Sequence, residues 1–150
     1  MASLFLHRDH PMQLLSLCAF GLCGLLVFAF RLRYVSTREF MPYHAVVLGK
    51  PWAALEPHLQ TIILGMLKVA AGGLLAFGCT IFWLLVPLQQ GEAWAAWAAL
   101  TITIVLITPI LYVVIWLRRV SPGARTPVVP TVAVIVLAIA GSLAFFAAHA

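Results

Sequence analysis

Residues 61–119 decide the fold, and they read TIILGMLKVAAGGLLAFGCTIFWLLVPLQQGEAWAAWAALTITIVLITPILYVVIWLRR. The segment contains two long apolar runs, 61–87 and 93–117, with Gln89, Gln90, Gly91 and Glu92 between them. A helix needs about 20 apolar residues to cross a hydrocarbon core about 30 Å thick, and both runs exceed that length. Because the separation is so short, the two runs are predicted to form an antiparallel hairpin of membrane-spanning helices.

Two further apolar runs, 11–30 and 128–148, lie on either side of this hairpin. The chain of 150 residues is 64% apolar and only 9% charged, whereas a soluble domain is about half apolar and about a quarter charged. So few charges could not coat a soluble globule, which excludes a soluble enzyme. The sequence therefore predicts an all-α fold, a transmembrane four-helix bundle that forms one integral membrane domain over residues 1–150.

The connection between the first and second spans is much longer than a turn and is not hydrophilic throughout. Pro42 and Pro51 suit the first positions of helices, and Gly49 suits a helix end. We expect one or two short helices within residues 40–56, lying in the headgroup plane of the membrane with Trp52 against the acyl chains. Pro57 would then open the second spanning helix.

Basic residues are distributed unevenly between the two ends of the predicted bundle. One end carries Arg8 alone, whereas the other carries Arg31, Arg33, Arg38, Lys50, Arg118, Arg119 and Arg125. Basic loops stay in the cytoplasm, so we expect a multi-pass protein of a bacterial inner membrane with both termini outside. Basic residues beside apolar runs contact anionic headgroups, so membrane lipids are expected partners and nucleic acid is not.

The densest polar set falls on the side predicted to be cytoplasmic. Tyr43, His44, Glu56 and His58 lie in the long connection, and Lys68 is the one ionisable residue well inside a span. Such residues could exchange a proton or hold a metal. The ordinary interpretation is helix capping, headgroup hydrogen bonds and, for Lys68, a stem that reaches back to the interface. No metal-ligand spacing connects them, so neither a metal nor a cofactor is predicted.

The second span is also the glycine-rich one. Gly65 and Gly73 share a helix face, and Gly72 with Ala76 forms a pair of small residues one turn apart. Such a face usually lets another helix approach closely. This face is therefore predicted to pack on another helix, and the alternative is a groove for a lipid or an isoprenoid chain.

A resemblance to known families rests on residues 65–78 (GMLKVAAGGLLAFG), on Pro87 and on the run GEAWAAW at 91–97. These residues resemble the second hairpin of several four-span bacterial membrane families and are similar in style to DoxX-like proteins. The resemblance covers about a fifth of the chain. It implies a four-span bundle, and some DoxX-like members are linked to quinone or sulfur redox complexes. No functional residue is assigned to this chain on the basis of the resemblance.

Three functions are compatible with these features. The leading hypothesis is an accessory or lipophile-binding protein without catalysis of its own, which packs on a membrane partner or on a second copy. The alternative is a membrane enzyme or redox-complex subunit with a site at the cytoplasmic face, formed by Tyr43, His44, Glu56, His58 and Lys68. A small transporter ranks last, because it needs a polar path through the bundle and the spans supply only threonines, cysteines and Ser142 for one. The spans also contain no acidic residue for ion coupling.

Overall fold

The computed structural model describes residues 11–150, and throughout that range the secondary structure is helical. Residues 1–10, which include Arg8, lie outside the described range. The elements are α1 (Pro11–Ser36), α2 (Pro42–Leu48), a single 3₁₀ turn (Trp52–Ala54), α3 (Pro57–Gln89), α4 (Ala93–Val120) and α5 (Val128–His149). The prediction of an all-α fold with four long apolar helices and a short helix after the first is confirmed.

The long helices extend beyond the apolar runs that predicted them. Helix α1 continues past Arg31 and Arg33 to Ser36, because basic residues are good helix formers and the helix does not need to stop where the apolar run does. The Ser36 hydroxyl donates to the carbonyl oxygen of Leu32 at 2.7 Å, which satisfies one acceptor of the last turn. Helix α3 begins at Pro57, as predicted, and Glu56 precedes it.

The four long helices form a ring in which each helix contacts two neighbours. Helix α1 packs against α3 and α5, and α4 packs against α5 and, less extensively, against α3. The interior is mainly apolar, and its largest fully buried side chains include Phe20, Ile81, Leu88 and Phe145. The weakest contact of the ring is therefore the one between α3 and α4.

Two glycines allow α1 and α3 to approach closely. A Cβ atom at Gly78 would lie 2.7 Å from the ring of Phe28, and one at Gly24 would lie 3.2 Å from the ring of Phe82. The two phenylalanine rings also contact each other, with centroids 5.9 Å apart. Each helix thus inserts an aromatic ring over a glycine of the other, which is the small-residue packing expected of membrane helices.

The outer surface of the bundle is strongly apolar. Trp83 is 83% exposed, and Val69 and Val129 are each 78% exposed. All four long helices are long and apolar enough to cross a membrane. Since soluble proteins rarely expose such extensive apolar surface, the exterior is typical of a multi-pass membrane protein.

The bundle has two chemically different ends. What we call the basic end comprises the end of α1, the α1–α3 connection, the end of α4 and the turn between α4 and α5. It carries Arg31, Arg33, Arg38, Lys50, Arg118, Arg119 and Arg125. The opposite end contains the α3–α4 turn, where Gly91 adopts a φ of 80°. There the Gln13 side chain donates to the carbonyl oxygen of Gln89 at 2.8 Å and so joins the start of α1 to the end of α3.

Candidate functional site

Helix α2 crosses the basic end of the bundle and contacts several of its elements. Its Tyr43 hydroxyl lies 3.3 Å from the hydroxyl of Tyr34 at the end of α1. A side-chain carbon of Val46 lies 3.5 Å from the Cβ position of Gly123, in the turn between α4 and α5. Helix α2 therefore covers part of the bundle end in addition to linking α1 to α3.

The segment that follows α2 is held by aromatic and amide contacts. Trp52 packs edge-on against Phe40 with ring centroids 5.1 Å apart. The Gln60 side chain donates to the carbonyl oxygens of Trp52, at 2.9 Å, and of Leu55, at 3.2 Å, and thereby fixes the connection to the first turn of α3. Trp52 is half-buried against Phe40, so only part of its surface is available to the acyl chains it was predicted to face.

A cavity of about 290 Å³ lies among the four long helices, towards the basic end. Among residues 11–150, its lining is apolar apart from two hydroxyl groups, and α1, α3 and α4 each supply three lining residues whereas α5 supplies two. They are Val27, Phe30 and Tyr34 from α1, Ala70, Gly73 and Leu74 from α3, Leu106, Ile107 and Ile110 from α4, and Thr131 and Val134 from α5, with Pro127 immediately before α5.

A cleft of about 320 Å³ lies beside this cavity, under α2. It is lined by Tyr34, Tyr43 and His44 together with the stretch of α4 that contains Pro109 and Ile110. Tyr34 and Ile110 line both spaces, so they form the boundary between the apolar cavity and the more polar cleft. We call this cleft, which adjoins the apolar cavity at these two residues and carries tyrosine hydroxyl groups, the mouth.

The two tyrosines at this mouth share one hydrogen bond between their hydroxyl groups. Burial first, and the neighbouring Tyr34 second, raise the pKa of Tyr43 far above its usual range. Tyr43 is therefore uncharged at physiological pH and can act as a hydrogen-bond donor or acceptor. Because a hydroxyl pair uses only one of its two O–H groups internally, one donor stays free for another molecule.

His44 supports the start of α2. Its Nδ1 accepts a hydrogen bond from the backbone N–H of Met41 at 3.2 Å, which leaves Nε2 as the protonated nitrogen of the neutral ring. Burial lowers the pKa of His44. The His44 side chain thus accepts a hydrogen bond from the backbone N–H just before α2. The glutamate or glutamine of a capping box does the same at the start of other helices.

Lys68 binds the end of α1. Its ammonium donates to three backbone carbonyl oxygens, those of Tyr34 at 3.5 Å, of Val35, and of Thr37 at 3.0 Å. The last carbonyls of a helix lack intrahelical partners and carry the negative end of the helix dipole, so a lysine here completes the helix end. An ammonium has three N–H groups, and all three are used.

The polar residues predicted as one cluster are brought together only in part. Tyr43 and His44 lie side by side with ring centroids 4.2 Å apart, whereas Glu56 and His58 are exposed and make no side-chain hydrogen bond to any residue within 11–150. Glu56 precedes α3 without capping it through its side chain. In that same described range no three His, Cys, Asp or Glu side chains are grouped so as to hold a metal ion.

The small-residue face of α3 is open in this chain. A Cβ atom added at Gly65, Gly72 or Gly73 would meet no heavy atom of residues 11–150 within 4 Å, and Ala76 is exposed. The close helix contact forms instead at Gly24 and Gly78, on a different part of the α1–α3 interface. Of the predicted face, Gly73 alone lines the apolar cavity.

Sequence reasoning did not identify Tyr34 as a site residue. Its position just after Arg31 and Arg33 is typical of an interfacial anchor, and that pattern does not distinguish an anchor from a cavity-lining tyrosine. The available signal was its spacing: Phe30 and Tyr34 are one turn apart on α1, and both line the cavity.

Comparison of the chain with family models, with curated proteins and with solved structures finds no match in any of the three. The resemblance of residues 65–97 to DoxX-like proteins therefore stays a prediction.

Proposed function

We propose that this chain is a multi-pass protein of a bacterial inner membrane that holds one lipophilic molecule in its apolar cavity and acts as an accessory protein without catalysis of its own. The observation that carries the proposal is the cavity itself, which is walled by all four long helices and is almost free of polar groups. A single apolar space reached by every helix is a common place for a ligand in a helix bundle.

The size of the cavity suits part of a lipid chain. An engineered apolar cavity of roughly 150 Å³ in another protein stays dry and binds benzene. A cavity of about 290 Å³ is larger, and a hydrocarbon chain that occupies it would gain van der Waals contacts with its apolar walls. The rest of a long chain would continue between α3 and α4, because that helix pair has the weakest contact of the ring.

The distribution of charge supports an orientation in which the basic end faces the cytoplasm. Among residues 11–150, seven arginine and lysine side chains belong to this end. The positive-inside rule then places both termini outside. The same residues support contacts with anionic headgroups at the cytoplasmic surface.

The open face of α3 supports an interaction with another membrane helix. Gly65, Gly72 and Ala76 leave room along α3 that no side chain within residues 11–150 fills. A second copy or a membrane partner could bring its own helix close at this face, since van der Waals packing at small residues drives association in lipid.

Adjacent glycines on α3 provide a matched test of the cavity. Gly73 lines it and Gly72 does not, although a new Cβ would meet nothing within 4 Å at either position. We expect Gly73→Leu to fill the cavity and to abolish the lipophile that copurifies with the protein in a mild detergent. Gly72→Leu should keep that lipophile. Native mass spectrometry and solvent extraction measure the molar ratio.

The same measurement contains the outcomes that would overturn the proposal. If the unsubstituted protein carries no lipophile, or if Gly73→Leu retains as much as Gly72→Leu, the cavity is not a binding site. Helical content is measured for both variants by circular dichroism, so that misfolding is recognised. The oligomeric mass of Gly72→Leu reports separately on the open face of α3.

A further inference from the structure

Of the residues that the structure describes, those lining the cavity include no charged side chain, and their polar side-chain groups are two hydroxyls. The Thr131 hydroxyl donates to the backbone carbonyl oxygen of Pro127 at 2.7 Å, so its only proton is already used. Tyr34 is therefore the lining residue that can offer a hydrogen bond to a ligand. From the described part of the chain, the adjoining cleft adds Tyr43 and the half-buried His44 but no lysine, arginine or carboxylate.

The cation nearest to this mouth along α3 is not available to a ligand. All three donors of the Lys68 ammonium are taken by the backbone carbonyls at the end of α1. A phosphate group placed at the mouth would thus lose water without gaining a cationic partner from the lining. Burial of an unpaired charge is costly, which disfavours an anionic phospholipid head in this position.

The tyrosine pair offers instead one neutral donor. With the two hydroxyl oxygens 3.3 Å apart, either group can donate to the other, and the second O–H is then free. A donor of this kind pairs well with an uncharged acceptor such as a carbonyl oxygen, and it would be left unsatisfied by a pure hydrocarbon.

We propose that the ligand is an uncharged lipid whose head carries a carbonyl oxygen, which accepts a hydrogen bond from the Tyr34–Tyr43 pair while its tail fills the cavity. This inference rests on the proposed lipophile-binding function. Two sources share this chemistry, a diacylglycerol through its ester carbonyls and an isoprenoid quinone through its ring carbonyls. Both are uncharged and both carry long apolar chains.

The test uses the full-length protein in detergent and four probes added one at a time. They are dioleoylglycerol, an isoprenoid quinone, dioleoylphosphatidylglycerol as the anionic lipid with the same chains, and squalene as a hydrocarbon without an acceptor. Native mass spectrometry gives the relative affinities. We expect one or both carbonyl-bearing neutral probes to bind more tightly than the anionic lipid, and the tighter of the two identifies the source.

Removal of the two hydroxyls tests the hydrogen bond directly. We expect Tyr34→Phe combined with Tyr43→Phe to lower the affinity for the neutral carbonyl probe about threefold to tenfold, as for one lost hydrogen bond. Squalene binding should not change. Tyr112→Phe is the matched control, since Tyr112 is 69% exposed and does not line the cavity.

The outcomes separate this inference from the function on which it rests. The inference of an uncharged head with a carbonyl oxygen would be overturned by either of two results. The anionic lipid could bind as tightly as the neutral carbonyl probes or more tightly, or the double tyrosine variant could keep its affinity for the neutral carbonyl probe. Lipophile binding would nevertheless stand if Gly73→Leu still abolished it. If Gly73→Leu left every probe bound as before, the cavity and the head-group inference would both be wrong.

Discussion

Lys68 shows at the scale of one residue how an isolated charge in an apolar helix is accommodated. Sequence reasoning left two interpretations, a functional site or a lysine that reaches back to the interface. The structure places its ammonium on the carbonyls of Tyr34, Val35 and Thr37. The long stem does extend away from α3, as the second interpretation predicted, but its ammonium contacts the end of α1. Lys68 therefore joins α1 to α3 and satisfies acceptors that water or lipid would otherwise have to satisfy.

Loss of this lysine should weaken the fold. We expect Lys68→Met to lower the free energy of unfolding by about 1 kcal/mol, because the charge–dipole interaction at a helix end is lost. Lys68→Arg keeps the charge and should restore part of that loss. Unfolding in mixed micelles by titration with a denaturing detergent measures both variants. Unchanged stability together with loss of the copurifying lipophile would show that Lys68 serves the ligand.

At the scale of secondary-structure elements, the sequence predicted correctly the long helices that hydropathy alone identifies. The long helices α3 and α4 follow directly from the runs at 61–87 and 93–117, and Pro57 begins α3 as predicted. Helices α1 and α4 continue past the apolar runs 11–30 and 93–117, because hydropathy marks where a chain leaves an apolar medium and not where its helix ends. Arg31 and Arg118 both continue their helices.

The arrangement of the site could be predicted only in part. Tyr43 and His44 were identified because they belong to the densest polar set on the side predicted to be cytoplasmic. Their contact with Tyr34 depends on how α2 crosses the bundle end, and that is set by packing between residues far apart in sequence. For the same reason Glu56 and His58, which are close in sequence to α2, are exposed on the other side of the 3₁₀ turn.

Helix α2 should loosen in acid because of His44. Burial lowers its pKa from the usual 6.5, so the neutral form is the one that fits the folded state. Below about pH 6.5 the unfolded chain takes up a proton more readily than the folded one, and stability falls as the pH decreases. A protonated ring also cannot accept the N–H of Met41. Hydrogen exchange of the amides at 43–48, corrected for intrinsic rates, should therefore accelerate between pH 7.5 and pH 5.5.

A glutamine at the same position provides the control for this acid effect. His44→Gln can still accept the Met41 N–H, as a glutamine does in a capping box, but it does not titrate. Exchange at 43–48 should then be slow at both pH values. Acceleration of the same size in His44→Gln would mean that another group is responsible, and the assignment to His44 would be wrong.

At the scale of the whole molecule, the two ends of the bundle differ in structure as well as in charge. The end at Gly91 is closed by a tight turn and by the bond between Gln13 and Gln89. The basic end carries α2, the tyrosine pair and the mouth of the cavity. A lipophile that enters from this end would meet hydroxyl groups first and apolar walls beyond them. The orientation of the bundle therefore also decides from which leaflet the site is reached.

This orientation can be tested with reporter fusions along the chain. We expect a periplasm-active phosphatase to be active after Ala150 and after Gly91, because the excess of basic residues at the other end holds that end in the cytoplasm. A fluorescent protein that folds only in the cytoplasm should be bright after Gly123, in the turn between α4 and α5. Fluorescence after Ala150, together with an inactive phosphatase there, would show that the bundle has the opposite orientation. The mouth of the cavity would then face the outer leaflet.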